Sequence, residues 1–284
     1  MLDHHRALIY TMVIVSAADS DLPDHVWEPQ TTKLLLYLAT NARHALIGGA
    51  YAGDHVILMA KRMLAHQGVC HAFEPNRDQL SMLRQNAELN GLGNIKSHAM
   101  GLWGHSNARL VLDGHDSYAS AVETAGNDPS AFPTIAIDDY VSQAALPGLD
   151  LIMLDIEGAE LQALKGARQV LSQPPEKAPN VVFEVHRHYV DWSQGLGSTE
   201  IVRMMNDFGY QVFAVRDFNS NVAMGNRPIE LIPVDEIYLD GPPHGFNMLA
   251  VKNMSVVNDL FRICRHVSPK LLWHKDPLLH HPLH

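Results

Sequence analysis

The sequence predicts an α/β fold, a doubly wound and mostly parallel sheet of seven strands. Three observations point there. Short apolar runs of four to six residues recur along the chain, and helical patterns separate most of them. Five of the runs alternate with helices early in the chain, and two closing strands follow. The turns that follow several runs carry glycine or acidic residues, the residue types that a parallel sheet presents at its ligand-binding end. The chain has 284 residues with 46% apolar content, enough for a sizeable core. Only 18% of residues are charged, which excludes a disordered or coiled-coil chain.

Taken in order, Trp27-Glu28-Pro29 opens a helix over 27–38. A strand at 44–47 runs into the turn Gly48-Gly49-Ala50-Tyr51-Ala52-Gly53. The helix at 54–65 carries Val56, Ala60, Met63 and Leu64 on one face. The strand at 69–73 ends in Glu74-Pro75-Asn76, and the helix at 78–90 is stopped by Asn90-Gly91. A strand follows at 95–100. Residues 101–133 are irregular, with a hairpin expected near 109–112. A short strand at 134–137 leads to Asp138, the expected cap of the next helix. The strand at 149–154 ends in Asp155-Ile156-Glu157-Gly158 and precedes a helix at 160–171. The strand at 180–183 ends in Glu184-Val185-His186. A helix at 201–208 and strands at 210–215 and 247–251 complete the sheet.

Charge and cysteine content narrow the function. Lys and Arg number 21 against 31 Asp and Glu, a net charge of −10. That balance lacks the basic footprint of a nucleic-acid binder. Cys70 and Cys264 are the two cysteines, which excludes a disulfide framework and a cysteine zinc site. No run reaches the roughly 18 apolar residues of a membrane span. Eighteen histidines are scattered singly for the most part, with His44 and His55 flanking the first glycine turn.

Ligands of such sheets bind past the carboxyl ends of the strands. The glycine turn permits close backbone approach, and Glu74, about 20 residues on, can accept hydrogen bonds from ribose hydroxyls. The pair points to a nucleotide-like ligand with a ribose. Nicotinamide dinucleotides and S-adenosylmethionine both use this layout. None of the eight tyrosines is followed by lysine four positions on, so the Tyr-x-x-x-Lys pair of one reductase class is missing.

The fourth strand is more specific. Leu149-Asp150-Leu151-Ile152-Met153-Leu154-Asp155-Ile156-Glu157-Gly158-Ala159-Glu160 is followed by Leu164-Lys165-Gly166-Ala167. Together with Ala72-Phe73-Glu74-Pro75-Asn76, Thr134-Ile135-Ala136-Ile137-Asp138-Asp139 and Val182-Phe183-Glu184-Val185-His186, it resembles the FkbM family of S-adenosylmethionine-dependent methyltransferases. The resemblance runs from about residue 27 to 251. It implies a Rossmann-like class I methyltransferase domain over 27–253, between an N-terminal extension (1–26) and a helical or extended tail (254–284). Two departures stand out. The family's first turn reads Asp-Val-Gly-Ala-Asn-x-Gly, whereas here Ile47 replaces the acid and Tyr51 the asparagine. The family also often has lysine just before the Asp-x-Glu-Gly block, where this chain has Leu154.

The resemblance implies methyl transfer to a hydroxyl of a sugar, glycan or natural product. The cofactor would lie against Gly49, Ala50, Tyr51, Gly53, Asp54, Glu74, Pro75, Asn76 and Asp155. Asp155, Glu184 and His186 are the candidate catalytic groups, since a hydroxyl needs a general base. His186, oriented by Glu184, is the expected base. Alternatively, Asp155 and Glu184 could hold a divalent metal. Asp155 could also simply cap the following helix. Glu157 is either a substrate contact or a first-turn acid, and Asp139 a site residue or part of a cap. His188 and Trp103 are candidates for the acceptor wall, and Ser117, Tyr118 and Ser120 for a cover over the site. The rival readings are a catalytically inactive binding module of the same fold and a nicotinamide-dependent oxidoreductase. A homo-oligomer is compatible with the sequence. Ala7 to Val15 followed by Ser16-Ala17-Ala18 has the pattern of a signal peptide. Asp3 and the need for a cytosolic cofactor favour a first buried element and a cytoplasmic protein.

Overall fold

The computed structural model describes residues 28–113, 120–124, 128–218, 222–239 and 245–271. The expectations placed on residues 1–27, on Ser117 and Tyr118, and on the part of the tail at 272–284 lie outside them.

The first half of the chain winds strand and helix alternately: α1 (Pro29–Ala39), β1 (His44–Gly48), α2 (Asp54–Leu64), β2 (Val69–Phe73), α3 (Arg77–Leu89) and β3 (Ile95–His98). Four strands follow, β4 (Gly101–Leu102), β5 (Arg109–Asp113), β6 (Ser120–Glu123) and β7 (Phe132–Ile135). The winding then resumes with α4 (Ile137–Gln143), β8 (Leu151–Leu154), α5 (Glu160–Lys165), α6 (Arg168–Leu171), β9 (Asn180–His186), α7 (Glu200–Asp207) and β10 (Gln211–Val215). The chain closes with β11 (Asp217–Phe218), β12 (Ile229–Pro233), β13 (Gly245–Val251), β14 (Phe261–Ile263) and β15 (Lys270–Leu271).

The main sheet runs in the order β14-β12-β10-β13-β9-β8-β1-β2-β3. Strands β3, β2, β1, β8 and β9 are parallel. β13 enters antiparallel between β9 and β10. Among the described residues the main sheet therefore has nine strands rather than seven. The short strand expected at 134–137 is not one of those seven and forms β7 in a separate four-stranded sheet, β4-β7-β5-β6. β12 and β14 extend the far edge, so residues 254–271 are built into the domain rather than trailing from it. These strands follow no helix, so the alternation that revealed the others did not mark them. The hairpin expected near 109–112 is present as β5 and β6.

Both faces of the sheet are covered. Leu46, Ile152, Leu154, Val181 and Phe183 pack under α4 to α7 with Ala163, Leu164, Leu171, Val202 and Met205. The intervening residues Ala45, Ile47, Leu151, Met153 and Val182 pack under α1 to α3 with Leu34, Leu35, Val56, Ile57, Met59 and Leu83. The strict alternation fixes the register, because a one-residue slip would exchange the two cores. Leu64, expected on the apolar face of α2, is 44% exposed. The helix expected over 160–171 breaks at Gly166, where a side chain would collide with the Trp103 carbonyl. Asp138 does not cap α4. Its carboxylate accepts the amides of Gln169 and Val170 at the start of α6.

One polar chain crosses the core. His44 Nδ1 meets His71 Nε2 at 3.2 Å, His71 Nδ1 meets the Tyr140 hydroxyl at 2.6 Å, and His98 Nε2 meets the same hydroxyl at 3.0 Å. Phe73 stacks on His98. Burial pushes His71 down to about 3, helped by its histidine and lysine neighbours. The folded chain therefore refuses a proton that unfolded imidazole accepts near 6.5. Stability should be intact above that value and fall at up to about 1.4 kcal/mol per pH unit as pH drops from there toward 3. Tyr140→Phe removes the partner of two ring nitrogens and should cost about 1–3 kcal/mol. Urea unfolding of both proteins at pH 7.5 and 5 checks the two effects.

Candidate functional site

The carboxyl ends of β1, β2, β8 and β9 meet at one edge. Gly49 follows β1 with φ +75°, and its missing side chain is essential: a Cβ there would lie 1.7 Å from the Asp155 carbonyl oxygen. The amides of Gly49 and Ala50 both donate to the Phe73 carbonyl at 3.1 Å. Gly53 closes the turn by donating to Ala50 and starts α2. Tyr51, at the position where the resemblance expects asparagine, holds a left-handed φ of 46°. Asparagine tolerates that conformation better than a bulky ring does.

Glu74 lies at the end of β2, buried, with both oxygens on backbone donors. The Tyr51 amide reaches one at 2.9 Å and the Asn76 amide reaches the other at 2.8 Å. Burial raises its pKa, and the two amides oppose that rise. Each oxygen keeps a second lone pair for a ligand donor. Asn76 is an exposed helix cap, accepting the amides of Asp78 and Gln79, and half-buried Pro75 links it to Glu74. Asp54 opens α2, and its Oδ1 is buried without a hydrogen-bond partner. Burial raises its pKa, with His55 opposing.

The Asp-x-Glu-Gly-Ala-Glu block divides its labour. Glu160 Oε1 accepts the amides of Ile156 at 2.8 Å and Gly158 at 3.3 Å, so it shapes the loop. Burial lifts Glu160 to about 7. Gly158, at φ +91°, lies under Tyr189, whose Cγ is 2.4 Å from where a Cβ would stand. Because Glu160 satisfies the loop amides, the capping reading of Asp155 does not hold. The Asp155 backbone instead donates to the Gly48 carbonyl. Burial raises the Asp155 pKa well above the carboxylate range, reinforced by Glu28, Glu160 and Glu157. Glu157 is exposed, in a left-handed conformation, and its Oε2 lies 3.5 Å from the Tyr189 hydroxyl.

Glu184 and Asp155 stand at the ends of the neighbouring parallel strands β9 and β8. Burial pushes Glu184 up to about 9, followed by the effects of Asp155, Glu160, Glu28 and Glu157. His186 is oriented differently from the expectation. Its Nδ1 accepts the His188 amide at 3.0 Å. In the neutral tautomer that accepts at Nδ1, the ring hydrogen sits on Nε2. Among the described residues, no group of three or more His, Cys, Asp or Glu is arranged to hold a metal ion.

Other candidates find structural roles. Trp103 donates its indole N–H to Glu123 at 2.6 Å, and the Ser106 hydroxyl donates to Asp139. His188 is exposed. Sequence reasoning missed three groups that join the site from the two ends of the chain. Lys270 Nζ lies 3.1 Å from Glu28 Oε1, and Asn247 Nδ2 lies 2.5 Å from Glu28 Oε2. Nothing local marks these residues, because the distances in sequence exceed 200 positions.

A parallel core with one antiparallel strand inserted next to its last member, and a glycine turn facing an acid on the adjoining strand, defines a class I S-adenosylmethionine-dependent methyltransferase fold. The family model of the methyltransferase FkbM domain matches residues 48–212, more than half of the chain. The chain belongs to the FkbM methyltransferase domain family. No curated protein matches it. Similar solved structures include the methyltransferase FkbM from Methylobacillus flagellatus KT, at 19% identity and TM-score 0.39, covering 61% of this chain and 40% of that one. The chain thus spans well under half the length of that relative. The O-methyltransferase from Bacillus cereus, in complex with SAH, is 17% identical at TM-score 0.44, covering 81% of this chain and 84% of that one. TomG from Streptomyces achromogenes, an O-methyltransferase in complex with SAM, is 15% identical at TM-score 0.45, covering 88% and 86%. No helix among the described residues is long and apolar enough to cross a membrane.

Two outcomes follow from this geometry. Glu184 is raised in the folded state, so it takes up protons on folding between about 4.5 and about 9. Its stability contribution is full below the lower value and lost as pH rises through the upper one. Glu184→Gln should therefore raise Tm, and more at pH 8.5 than at pH 5, as read by calorimetry. Tyr51→Asn should relieve backbone strain and add about 0.5–1 kcal/mol in urea unfolding, without loss of the fold.

Proposed function

We propose that the chain is an S-adenosylmethionine-dependent O-methyltransferase whose acceptor is a hydroxyl of a sugar, glycan or natural product. The observation that carries this reading is the placement of Asp155 and Glu184 at adjacent strand ends, beside the glycine turn and Glu74. The residues fit the cofactor. Glu74, already fixed by two amides, has lone pairs left for two ribose hydroxyls. The unpartnered Asp54 Oδ1 suits the ammonium of the methionine part and stands in for the acid absent at Ile47. Gly49, Ala50 and Gly53 let the backbone approach, and Tyr51, Pro75 and Asn76 frame the ribose.

The bound cofactor supplies an electrophilic methyl group, and the chain supplies alignment and a proton acceptor. Alignment accounts for roughly 7–11 kcal/mol of such barriers. Glu184, once ionised, is a strong base for a carboxylate, matched to a weakly acidic hydroxyl. An arriving positive charge favours its ionised form. Asp155 lies beside it and supports the cationic ligand. His186 Nε2–H donates to the acceptor oxygen and orients it.

Thermal unfolding with S-adenosylhomocysteine, S-adenosylmethionine and NAD tests the cofactor. A ligand at about 100 times its Kd adds about 2.7 kcal/mol, a shift of a few degrees. The expected result is a shift with the two sulfur ligands and none with NAD; a shift with NAD alone would reject the reading. With an accepted hydroxyl substrate, Glu184→Gln should lower kcat by about 10²–10⁴-fold while sparing S-adenosylhomocysteine binding. Asp155→Asn should lower turnover too, and His186→Ala less. The rate should climb about tenfold per pH unit and level off toward about 9, the value to which Glu184 is raised. A flat profile would exclude Glu184 as the base.

A further inference from the structure

Lys270 is carried by β15, a two-residue strand paired in parallel with β11. The preceding backbone is fixed as well. Arg216 Nε donates to the Ser268 carbonyl at 3.1 Å, the Asp217 amide donates to the Pro269 carbonyl at 2.9 Å, and the Tyr238 amide donates to Val267. Lys270 and Glu28 form a buried ion pair, their side chains 8% and 9% exposed. Glu28 sits just before α1, and Asn247 lies directly across from Glu184 in the β13–β9 register. A continuous path therefore leads from the C-terminal strand to the catalytic edge: Lys270 to Glu28, Glu28 to Asn247, and Asn247 beside Glu184.

The groups facing Lys270 are acidic on every side. Glu28 comes from the start of α1, Asp217 from β11 and Glu184 from β9, and the charge of Lys270 also acts on Asp155 past β8. Asp217 is itself held by the amides of Gln30 and Thr31, which locks the start of α1 to β11. Burial opposes the charge on Lys270, yet these carboxylates outweigh it and raise its pKa. Glu28, Asn247 and Lys270 all lie outside the residues 48–212 matched by the family.

We propose that Lys270 is a positioning residue that acts through Glu28: it sets the net charge at the ends of β8 and β9, and thereby how strongly the site prefers a positively charged sulfonium to a neutral thioether. This rests on the S-adenosylmethionine reading above. The two ligands are nearly the same shape and differ in one methyl group and one charge, so their affinity ratio isolates the charge. Loss of the Lys270 ammonium leaves Glu28 uncompensated and favours the cation. Loss of the Glu28 carboxylate leaves Lys270 uncompensated and disfavours it. Loss of both restores the original balance.

Calorimetric titration of S-adenosylmethionine and S-adenosylhomocysteine into the full chain, at low salt and pH 7.5, tests this. Lys270→Met should raise the ratio Kd(S-adenosylhomocysteine)/Kd(S-adenosylmethionine) by about three- to thirtyfold. Glu28→Gln should lower it, while Lys270→Arg and the double variant Glu28→Gln/Lys270→Met should stay near the wild-type ratio. A merely structural role would weaken both ligands alike, and an unchanged ratio in Lys270→Met and Glu28→Gln overturns the proposal. Should Lys270→Met not fold, Glu28→Gln decides alone, with a fall in the ratio supporting the proposal and an unchanged ratio overturning it. If the wild-type chain binds neither ligand, the cofactor reading itself fails, an outcome distinct from an unchanged ratio.

Discussion

The close approach of Gly49 to the Asp155 carbonyl governs the rest of the site. β1 and β8 are neighbours in the sheet, and their outgoing turns must pass each other with no room for a side chain. That contact places the Asp155 backbone beside the glycine turn, and the turn in turn carries the Tyr51 amide onto Glu74. A residue with a Cβ at position 49 would force the two strand ends apart and separate the acid of β8 from the acid of β2. Packing and chemistry are therefore one problem here, solved by a single missing methyl group.

The second constraint is electrostatic. Asp155, Glu157, Glu160, Glu184 and Glu28 crowd one edge, and burial with mutual repulsion makes full ionisation costly. The chain relieves part of this by hydrogen bonding Glu160 to loop amides and by pairing Glu28 with Lys270. Asp155 and Glu184 keep the strain. Groups that weaken the fold in this way are expected where activity requires them.

The sequence was most legible where local rules apply. The alternation of strands and helices, the glycine turn, Glu74 and the Asp-x-Glu-Gly-Ala-Glu block could be read directly, and the block's internal logic became clear only with Glu160 folded back on its own loop. β12 and β14 were hidden because antiparallel and edge strands lack a following helix. Asp138 was misassigned as the cap of its own helix because the amides it accepts belong to α6, about 30 residues on. The ring orientation of His186 was illegible for a different reason. Which ring nitrogen is engaged depends on the backbone turn at His188, and no spacing rule specifies that. Lys270, Glu28 and Asn247 were illegible because only tertiary folding brings the two ends of the chain together.

The histidine–tyrosine chain beneath β1, β2 and β3 has a directional consequence. The Tyr140 hydroxyl has one hydrogen and touches two imidazoles, so it donates to one and accepts from the other. If it donates to His71, then His98 must donate to it, and His71 must pass its own hydrogen to His44. Reversing one bond reverses all three. The rings thus share one polarity, and their tautomers change together or not at all. The interior of this sheet stores a single binary arrangement of protons, spread over three strands and a helix.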